Sequence, residues 1–223
     1  MEITAVRAAF LDVNCYAVAA ESTGPSPREC VLVDAGSECA PDLARVLADL
    51  RWEPVAILLT HGHLDHVLGL PAVRSTWDVP VHIGAADAYR LTDPAAHTSA
   101  ELAAHVADRT AGWTTPAHVP VASGTDLEFA GLRISATEAP GHTEGSTLWR
   151  VTDPQAAGTV DEVLFTGDVL FAGSVGRTDL PGGDPEAMQR TIGMLRTLPD
   201  TPVLPGHGPL TQLSREIETN PFF

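Results

Sequence analysis

The sequence predicts an α/β fold in which two β-sheets lie face to face with helices on the outside. Short apolar runs recur between turn residues along the 223-residue chain, and their lengths suit strands. Two segments carry helical periodicity instead, and strands and helices alternate in both halves of the chain. Two sheets covered by helices would bury the apolar faces of all these elements. With 44% hydrophobic and 19% charged residues, the chain suits a single domain over residues 1–223.

The strands are predicted from apolar runs that turn residues interrupt. Glycine, proline and acidic residues stand between most of these runs, as they do between strands. The predicted strands are residues 3–10, 15–20, 30–33, 55–59, 79–83, 119–122, 132–136, 147–151, 163–165 and 202–204.

Two helices are predicted from apolar residues that recur every three or four positions. In residues 41–52, apolar side chains fall at i, i+3, i+4 and i+7 from Leu43, behind a proline that suits a first turn. The second helix follows Asp184 and has an apolar stripe over residues 188–195. We expect Asp184 to be its N-cap rather than a ligand.

Residues 91–116 form a long connection between two predicted strands. Thr98 and Glu101 give a capping-box pattern before a short helix. Insertions with some structure of their own often serve as lids or binding loops. A lid and a structural spacer are equally compatible with this segment.

The composition excludes several functions. All 13 basic residues are arginine, which excludes a Schiff-base lysine and the lysine of a phosphate-binding loop. The net charge of −16 opposes the phosphate backbone, so we expect no nucleic-acid partner.

The chain also lacks signals for export. The N-terminal apolar run is interrupted by Arg7, and no stretch approaches the ~20 apolar residues of a membrane span. Three cysteines without a CxxC pair predict buried thiols rather than a disulfide framework. We therefore expect a cytoplasmic protein with no membrane partner.

A cluster of metal-binding side chains follows the fourth predicted strand. The segment 60–66, THGHLDH, contains three imidazoles and a carboxylate within six residues. His61 and His63 cannot share one helix face, but they can converge from a loop beyond a strand end. Asp65 could also be the N-cap of a helix at 67–76, a role compatible with metal binding.

Three more residues of ligand type stand just beyond strand ends. His142 and His207 each follow Pro-Gly, and Asp168 follows Thr-Gly. A glycine lets the backbone turn sharply and approach a site, while the rigid strands orient the side chains. Chance becomes the weaker explanation once these residues are taken together with the first cluster.

The nitrogen and oxygen donors suit two divalent metal ions, with Zn²⁺ the first choice and Fe or Mn also compatible. A water between two such ions would ionise near neutral pH and supply a metal-bound hydroxide for hydrolysis. No serine, cysteine or lysine nucleophile is then required. The proposed donors are His61, His63, Asp65, His66, His142, Asp168 and His207.

The order of these motifs resembles the metallo-β-lactamase superfamily over nearly the whole chain. THGHLDH at 60–66 is followed by PGH at 140–142, TGD at 166–168 and PGH at 205–207. The resemblance implies an αββα sandwich with two metal sites at one edge of the sheets. It implies one site from His61, His63 and His142, a second from Asp65, His66 and His207, and Asp168 as the bridging ligand. We assign the catalytic roles to Asp65 and Asp168.

Within the superfamily the chain most resembles bacterial glyoxalase II-like hydrolases, also called hydroxyacylglutathione hydrolases. The segments FAGSVGRTDLPGG at 171–183, LPGHGP at 204–209 and NPF at 220–222 carry this likeness. It implies hydrolysis of a small-molecule thioester. Arg177 is expected either to bind a carboxylate or amide of the substrate, or to form an ion pair with Asp179 or orient Asp168.

Two other functions remain compatible with the motifs. A persulfide dioxygenase has a similar HxHxDH stretch but binds one iron, here through His61, His142 and Asp168. A binding protein could use the same scaffold without catalysis, although such proteins usually lack a ligand and none is missing here. The acyl group, the thiol carrier and the oligomeric state are left open by the sequence.

Overall fold

The computed structural model describes residues 1–21, 27–156 and 161–223. Fourteen strands and seven α-helices are found in these residues, with 3₁₀ helices at Ala85–Thr92 and Pro94–His97. The strands are β1 (Glu2–Arg7), β2 (Asn14–Ala19), β3 (Arg28–Val33), β4 (Trp52–Leu59), β5 (Val81–Gly84), β6 (His118–Val121), β7 (Asp126–Phe129), β8 (Leu132–Glu138), β9 (Thr147–Thr152), β10 (Glu162–Gly167), β11 (Leu170–Phe171), β12 (Ser174–Val175), β13 (Pro202–Pro205) and β14 (Thr211–Gln212). The helices are α1 (Ala40–Leu50), α2 (Leu64–Val67), α3 (Leu70–Thr76), α4 (Ala100–His105), α5 (Ala107–Thr110), α6 (Pro185–Leu195) and α7 (Leu213–Thr219).

Two six-stranded sheets form the centre of the molecule. The first has the order β1-β2-β3-β4-β5-β6 and is parallel from β3 to β6. The second has the order β14-β13-β10-β9-β8-β7, and its parallel pair is β10 with β13. Parallel neighbours end at the same edge of a sheet, so the loops after these strands are brought together there.

The two sheets enclose a core of large apolar side chains. Trp149 and Phe165 are fully buried between them, and Tyr16 contacts Phe165 edge to face at 5.2 Å between ring centroids. The indole Nε1 of Trp149 donates to the carbonyl of Leu59 at 3.0 Å. That hydrogen bond joins the second sheet to the last residue of β4.

Helices cover the outer faces of both sheets. Along β4, Ile57 and Leu59 point to the helix side, while Ala56 and Leu58 point to the other sheet, following the period of two. Leu43 of α1 belongs to the apolar core between the first sheet and its helices, together with Ile57 and Leu59. Helix α6 contributes Met188, Ile192 and Leu195 to the outer core of the second sheet. The predicted αββα sandwich is confirmed.

The first predicted helix ends earlier than its periodicity indicated. Helix α1 stops at Leu50, Arg51 adopts a left-handed conformation (φ 56°), and Trp52 already belongs to β4. Trp52 pairs with Arg28 in the β3–β4 ladder, and the Arg28 guanidinium lies over its ring at 5.2 Å. Sheet pairing therefore decides the conformation of Trp52.

Asp184 is confirmed as the N-cap of α6, because its Oδ1 accepts from two backbone N–H groups.

Two other cap predictions are wrong. Ser99, rather than Thr98, caps α4 and accepts a hydrogen bond from the N–H of Leu102 at 3.2 Å. Asp65 does not cap a helix over 67–76: it lies inside α2, and α3 starts separately after Gly69. The carboxylate of Asp65 points instead toward His207.

Cys15, Cys30 and Cys39 are buried free thiols, as the sequence predicted. Within the described ranges, none of the helices has the length and apolar character needed to cross a membrane.

Candidate metal centre

The structure brings all seven predicted donors to one edge of the sandwich. The loop after β4 and the start of α2 carry four of them, and the turn between β8 and β9 carries His142. Asp168 directly follows β10, and His207 stands two residues after β13. Backbone hydrogen bonds link these loops, both between the two sheets and within the second sheet. Thr147 N–H donates to Thr60 O at 2.8 Å, and Gly206 N–H donates to Gly167 O at 2.8 Å. The edge is therefore one connected unit rather than four separate loops.

The donor atoms form compact groups of three. In each group the ligand atoms lie within 4.8 Å of one another. The groups are His61, His63 and His142; Asp65, His66 and His207; and His61, His66 and Asp168. Two of them coincide with the metal sites that the family resemblance implied.

Asp168 faces both of those sites. Its Oδ1 lies 3.3 Å from His66 Nε2. Its Oδ2 lies 3.6 Å from His142 Nε2 and 3.5 Å from His207 Nε2. The geometry therefore allows a single carboxylate to contact ions on both sides.

The histidines of the first group suit a cation. The Nε2 atom of His61 is buried without a hydrogen-bond partner among the described residues, and His63 Nδ1 lies 2.8 Å from His142 Nε2. Burial lowers the pKa of His61 well below its usual value, and the imidazoles of His66 and His63 lower it further. Burial also lowers the pKa of His63 to about 3, and His142 adds to that effect. Neutral imidazoles offer the lone pairs that a metal ion requires.

The second half of the site is acidic. Burial alone would lower the pKa of His66, but the carboxylates of Asp34 and Asp168 outweigh it and raise that pKa well above its usual value. Burial alone would raise the pKa of Asp168, but positive charge on His66 holds it below the usual range. This half of the site therefore attracts positive charge. Together the two halves fit a pair of divalent cations bound by N and O donors.

Asp34 orients His66 from outside the donor set. It follows β3 and is buried. Its Oδ2 accepts from His66 Nδ1 at 2.8 Å, and its Oδ1 accepts from the backbone N–H of Thr60 at 2.8 Å. An imidazole that donates through Nδ1 presents Nε2 to the site. The sequence did contain a signal for this residue, since Asp34 stands directly after a strand as Asp168 does.

The loop at 176–183 orients another ligand. His142 Nδ1 lies 2.8 Å from the carbonyl oxygen of Arg177, so its Nε2 faces the site. Gly206 leaves room for two donors on the other side. A Cβ at that position would lie 2.7 Å from His66 Cε1, and it would also collide with Asp168 Oδ1. A residue larger than glycine would therefore displace these side chains.

A cavity of about 470 Å³ opens onto the donors. Its walls beyond the donors are mostly apolar and include Leu11, Leu64, Leu102, Phe171 and Leu180.

Arg177 also lines this cavity. Its exposed guanidinium donates to both oxygens of Asp179, at 2.6 Å each. The structure thus contains the ion pair that was one of the two alternatives for Arg177. This ion pair leaves no net charge at that part of the cavity wall.

The connection at 91–116 contacts the cavity through only a few residues. Thr98, Ser99 and Leu102 line it. Of the aromatic side chains in this connection, Trp113 donates through Nε1 to the carbonyl of Leu91 at 2.8 Å, and His105 stacks on Phe10 with ring centroids 6.5 Å apart. His97 contacts Tyr89 instead. These aromatic residues hold the connection in place rather than shape the cavity.

Fold and donor set together define a metal-dependent hydrolase. The family model described as "Metallo-beta-lactamase superfamily" matches residues 8–207, and the chain belongs to that superfamily.

Two of the proteins that this chain resembles are named for different activities. Hydroxyacylglutathione hydrolase GloC of Haemophilus influenzae is 30% identical over 206 residues, which cover 87% of each protein. The crystal structure of BLEG-1 B3 metallo-beta-lactamase has a TM-score of 0.79 at 32% identity and covers 99% of each chain. The crystal structure of TTHA1623 in a di-iron-bound form has a TM-score of 0.75 at 33% identity, with 99% of this chain and 100% of that chain covered.

Proposed function

We propose that this protein hydrolyses small-molecule thioesters at a dinuclear metal centre. The observation that carries the proposal is the position of Asp168 between two groups of three donors, on the floor of an apolar cavity. One ion would be held by His61, His63 and His142, a second by Asp65, His66 and His207, and both by Asp168. The ions are expected to be Zn²⁺, with Fe and Mn also compatible.

Bound at this place, two divalent ions would polarise the acyl carbonyl and lower the pKa of water, which is the chemistry that hydrolysis requires. The protein's own residues orient the ligand side chains. Asp34 and the carbonyl of Arg177 hold His66 and His142 so that their Nε2 atoms face the site. Leu11 and Phe171 line the cavity and offer apolar surface to an acyl group.

The cavity also favours a particular acyl group. Besides the histidines, Arg177 is the one cationic side chain among the described residues that line it, and Asp179 neutralises this guanidinium. Leu64, Leu102 and Leu180 line the remaining wall. A neutral, apolar acyl group fits these walls better than one that carries a carboxylate.

The likeness to hydroxyacylglutathione hydrolase GloC supports a thioester, and the di-iron form of TTHA1623 supports two metal ions. The likeness to BLEG-1 makes β-lactam hydrolysis the activity to test against.

A matched substrate panel would test the proposal. The metal-loaded protein is assayed with an aliphatic thioester, its ω-carboxylated analogue, a lactone and a β-lactam, alongside elemental analysis. We expect thiol release in step with two bound ions, fastest for the neutral thioester, and none from His63→Ala. Cleavage of the β-lactam alone would refute the proposal. Oxygen consumption with a persulfide, at one iron per chain, would indicate a dioxygenase instead.

A further inference from the structure

Asp87 is a buried carboxylate that lies outside the donor set. It belongs to the 3₁₀ helix Ala85–Thr92 and has no exposed surface. Its Oδ2 accepts from Gly62 N–H at 2.8 Å and from Thr143 Oγ1 at 2.8 Å. Its Oδ1 accepts from Gly145 N–H at 2.8 Å and from Arg90 Nε at 3.2 Å. Four donors thus converge on the two oxygens of one side chain.

Three of these donors belong to the loops that carry one histidine group. Gly62 stands between His61 and His63, and Thr143 directly follows His142. The first loop leaves the first sheet after β4, and the second joins β8 to β9 in the other sheet. Asp87 is therefore a bridge between two loops whose ligands must converge on one ion.

Arg90 extends this bridge to a third loop. Its side chain is fully buried, and its Nη2 donates to the carbonyl of Pro181 at 2.9 Å and to the carboxylate of Glu144. Pro181 belongs to the same loop as Arg177, whose carbonyl accepts from His142. A buried guanidinium would be costly to retain without such partners.

Glycines of both ligand loops pack tightly against Asp87 and Arg90. A Cβ at Gly62 would lie 2.7 Å from Arg90 Cβ, and a Cβ at Gly145 would lie 2.7 Å from Asp87 Cβ. Both distances are far below ordinary van der Waals contact. The two glycines thus let Asp87 and Arg90 reach the backbones of both ligand loops.

We propose that Asp87, supported by Arg90, is a positioning residue that sets the spacing of His61, His63 and His142 around one metal ion. It acts through two backbone N–H groups and one hydroxyl of the ligand loops and contacts neither metal nor substrate. The inference rests on the proposed metal centre, but it concerns retention of metal rather than turnover. Partners outside the ligand set typically contribute about 10- to 100-fold to metal affinity.

The test is Asp87→Asn, measured as the rate of Zn²⁺ release to an excess of chelator. The asparagine NH₂ would have to face two of the four donors whichever way the amide turns, so the bridge fails. Asp153→Asn is the matched control. Asp153 is also buried and accepts from backbone amides, those of Glu21 and Gln155, but it follows the far end of β9. We expect release at least 10-fold faster in Asp87→Asn and at the wild-type rate in Asp153→Asn.

Thr143→Val is a milder second variant that keeps the shape and removes one donor to Asp87. It should accelerate release in the same direction but less, and it decides the matter if Asp87→Asn does not fold. The proposal is overturned if Thr143→Val and any folded Asp87→Asn release metal at the wild-type rate, or if Asp153→Asn accelerates release equally. A wild-type protein that retains metal but hydrolyses no thioester would contradict the proposed function alone.

Discussion

Replacing Asp34 by asparagine should weaken metal binding by reversing the tautomer of His66. The carboxylate accepts from His66 Nδ1 and from the N–H of Thr60, at 2.8 Å each. An asparagine oxygen can serve only one of these donors. If it stays on Thr60, the NH₂ group faces His66 Nδ1, which must then become an acceptor. The proton moves to His66 Nε2 and blocks the lone pair that faces the site.

The size of the effect follows from the bond that is lost. A hydrogen bond to a charged group contributes about 1.5–3 kcal/mol. At about 1.4 kcal/mol per tenfold, this corresponds to roughly 10- to 150-fold in metal affinity. If the amide turns the other way, the buried N–H of Thr60 loses its partner and the protein is destabilised by about 1–3 kcal/mol.

Competition with a chromophoric chelator measures the affinity, and urea unfolding of the metal-free protein measures the stability. The ¹⁵N shifts of the His66 ring report its tautomer directly. Asp153→Asn serves as the control for loss of a buried carboxylate. An Asp34→Asn protein with wild-type affinity, stability and ring shifts would show that Asp34 does not orient His66.

Three further outcomes are expected. His63→Ala should lower metal content and abolish hydrolysis, because only two histidines remain in its group; a fully metallated, active variant would contradict the proposed ligand set. Arg177→Lys should affect KM for acidic and neutral thioesters equally, because Asp179 already binds the Nε and Nη2 edge of the guanidinium; a rise in KM for the acidic substrate alone would support the substrate-binding role. His82→Phe should reduce the loss of stability between pH 7.5 and pH 5.5, compared by urea unfolding. Burial lowers the pKa of His82, so the unfolded chain binds the proton first as the pH falls and stability decreases; an equal loss in both proteins would refute this assignment.

The predicted strands lie close to the observed ones because most of them are buried on both faces and read as continuous apolar runs. The strands β7 and β14, which the sequence did not predict, are not buried in this way. Strand β7 (Asp126–Phe129) has no fully buried residue, and β14 (Thr211–Gln212) is only two residues long. Their pairing depends on the neighbouring strands β8 and β13, which a local window cannot contain.

The metal ligands could be predicted because their spacing is also a local property of the sequence. Four of them occur within residues 61–66, and the other three each follow a strand end and a glycine. Arg177 was left between two alternatives by the sequence, since both use the same guanidinium. The ion pair with Asp179 shows that one of these contacts forms, and the Arg177→Lys variant tests the other.

The sequence by itself determined the fold class and the chemistry of the donors, because strand periodicity and ligand spacing are local properties of the chain. The tertiary structure alone decided how those ligands are held. Asp34 reaches His66 across 32 positions, and Asp87 reaches Thr143 across 56. Such contacts exist only after β-sheet pairing has closed the loops between them, and no periodicity in the sequence records which buried carboxylate will meet which backbone amide.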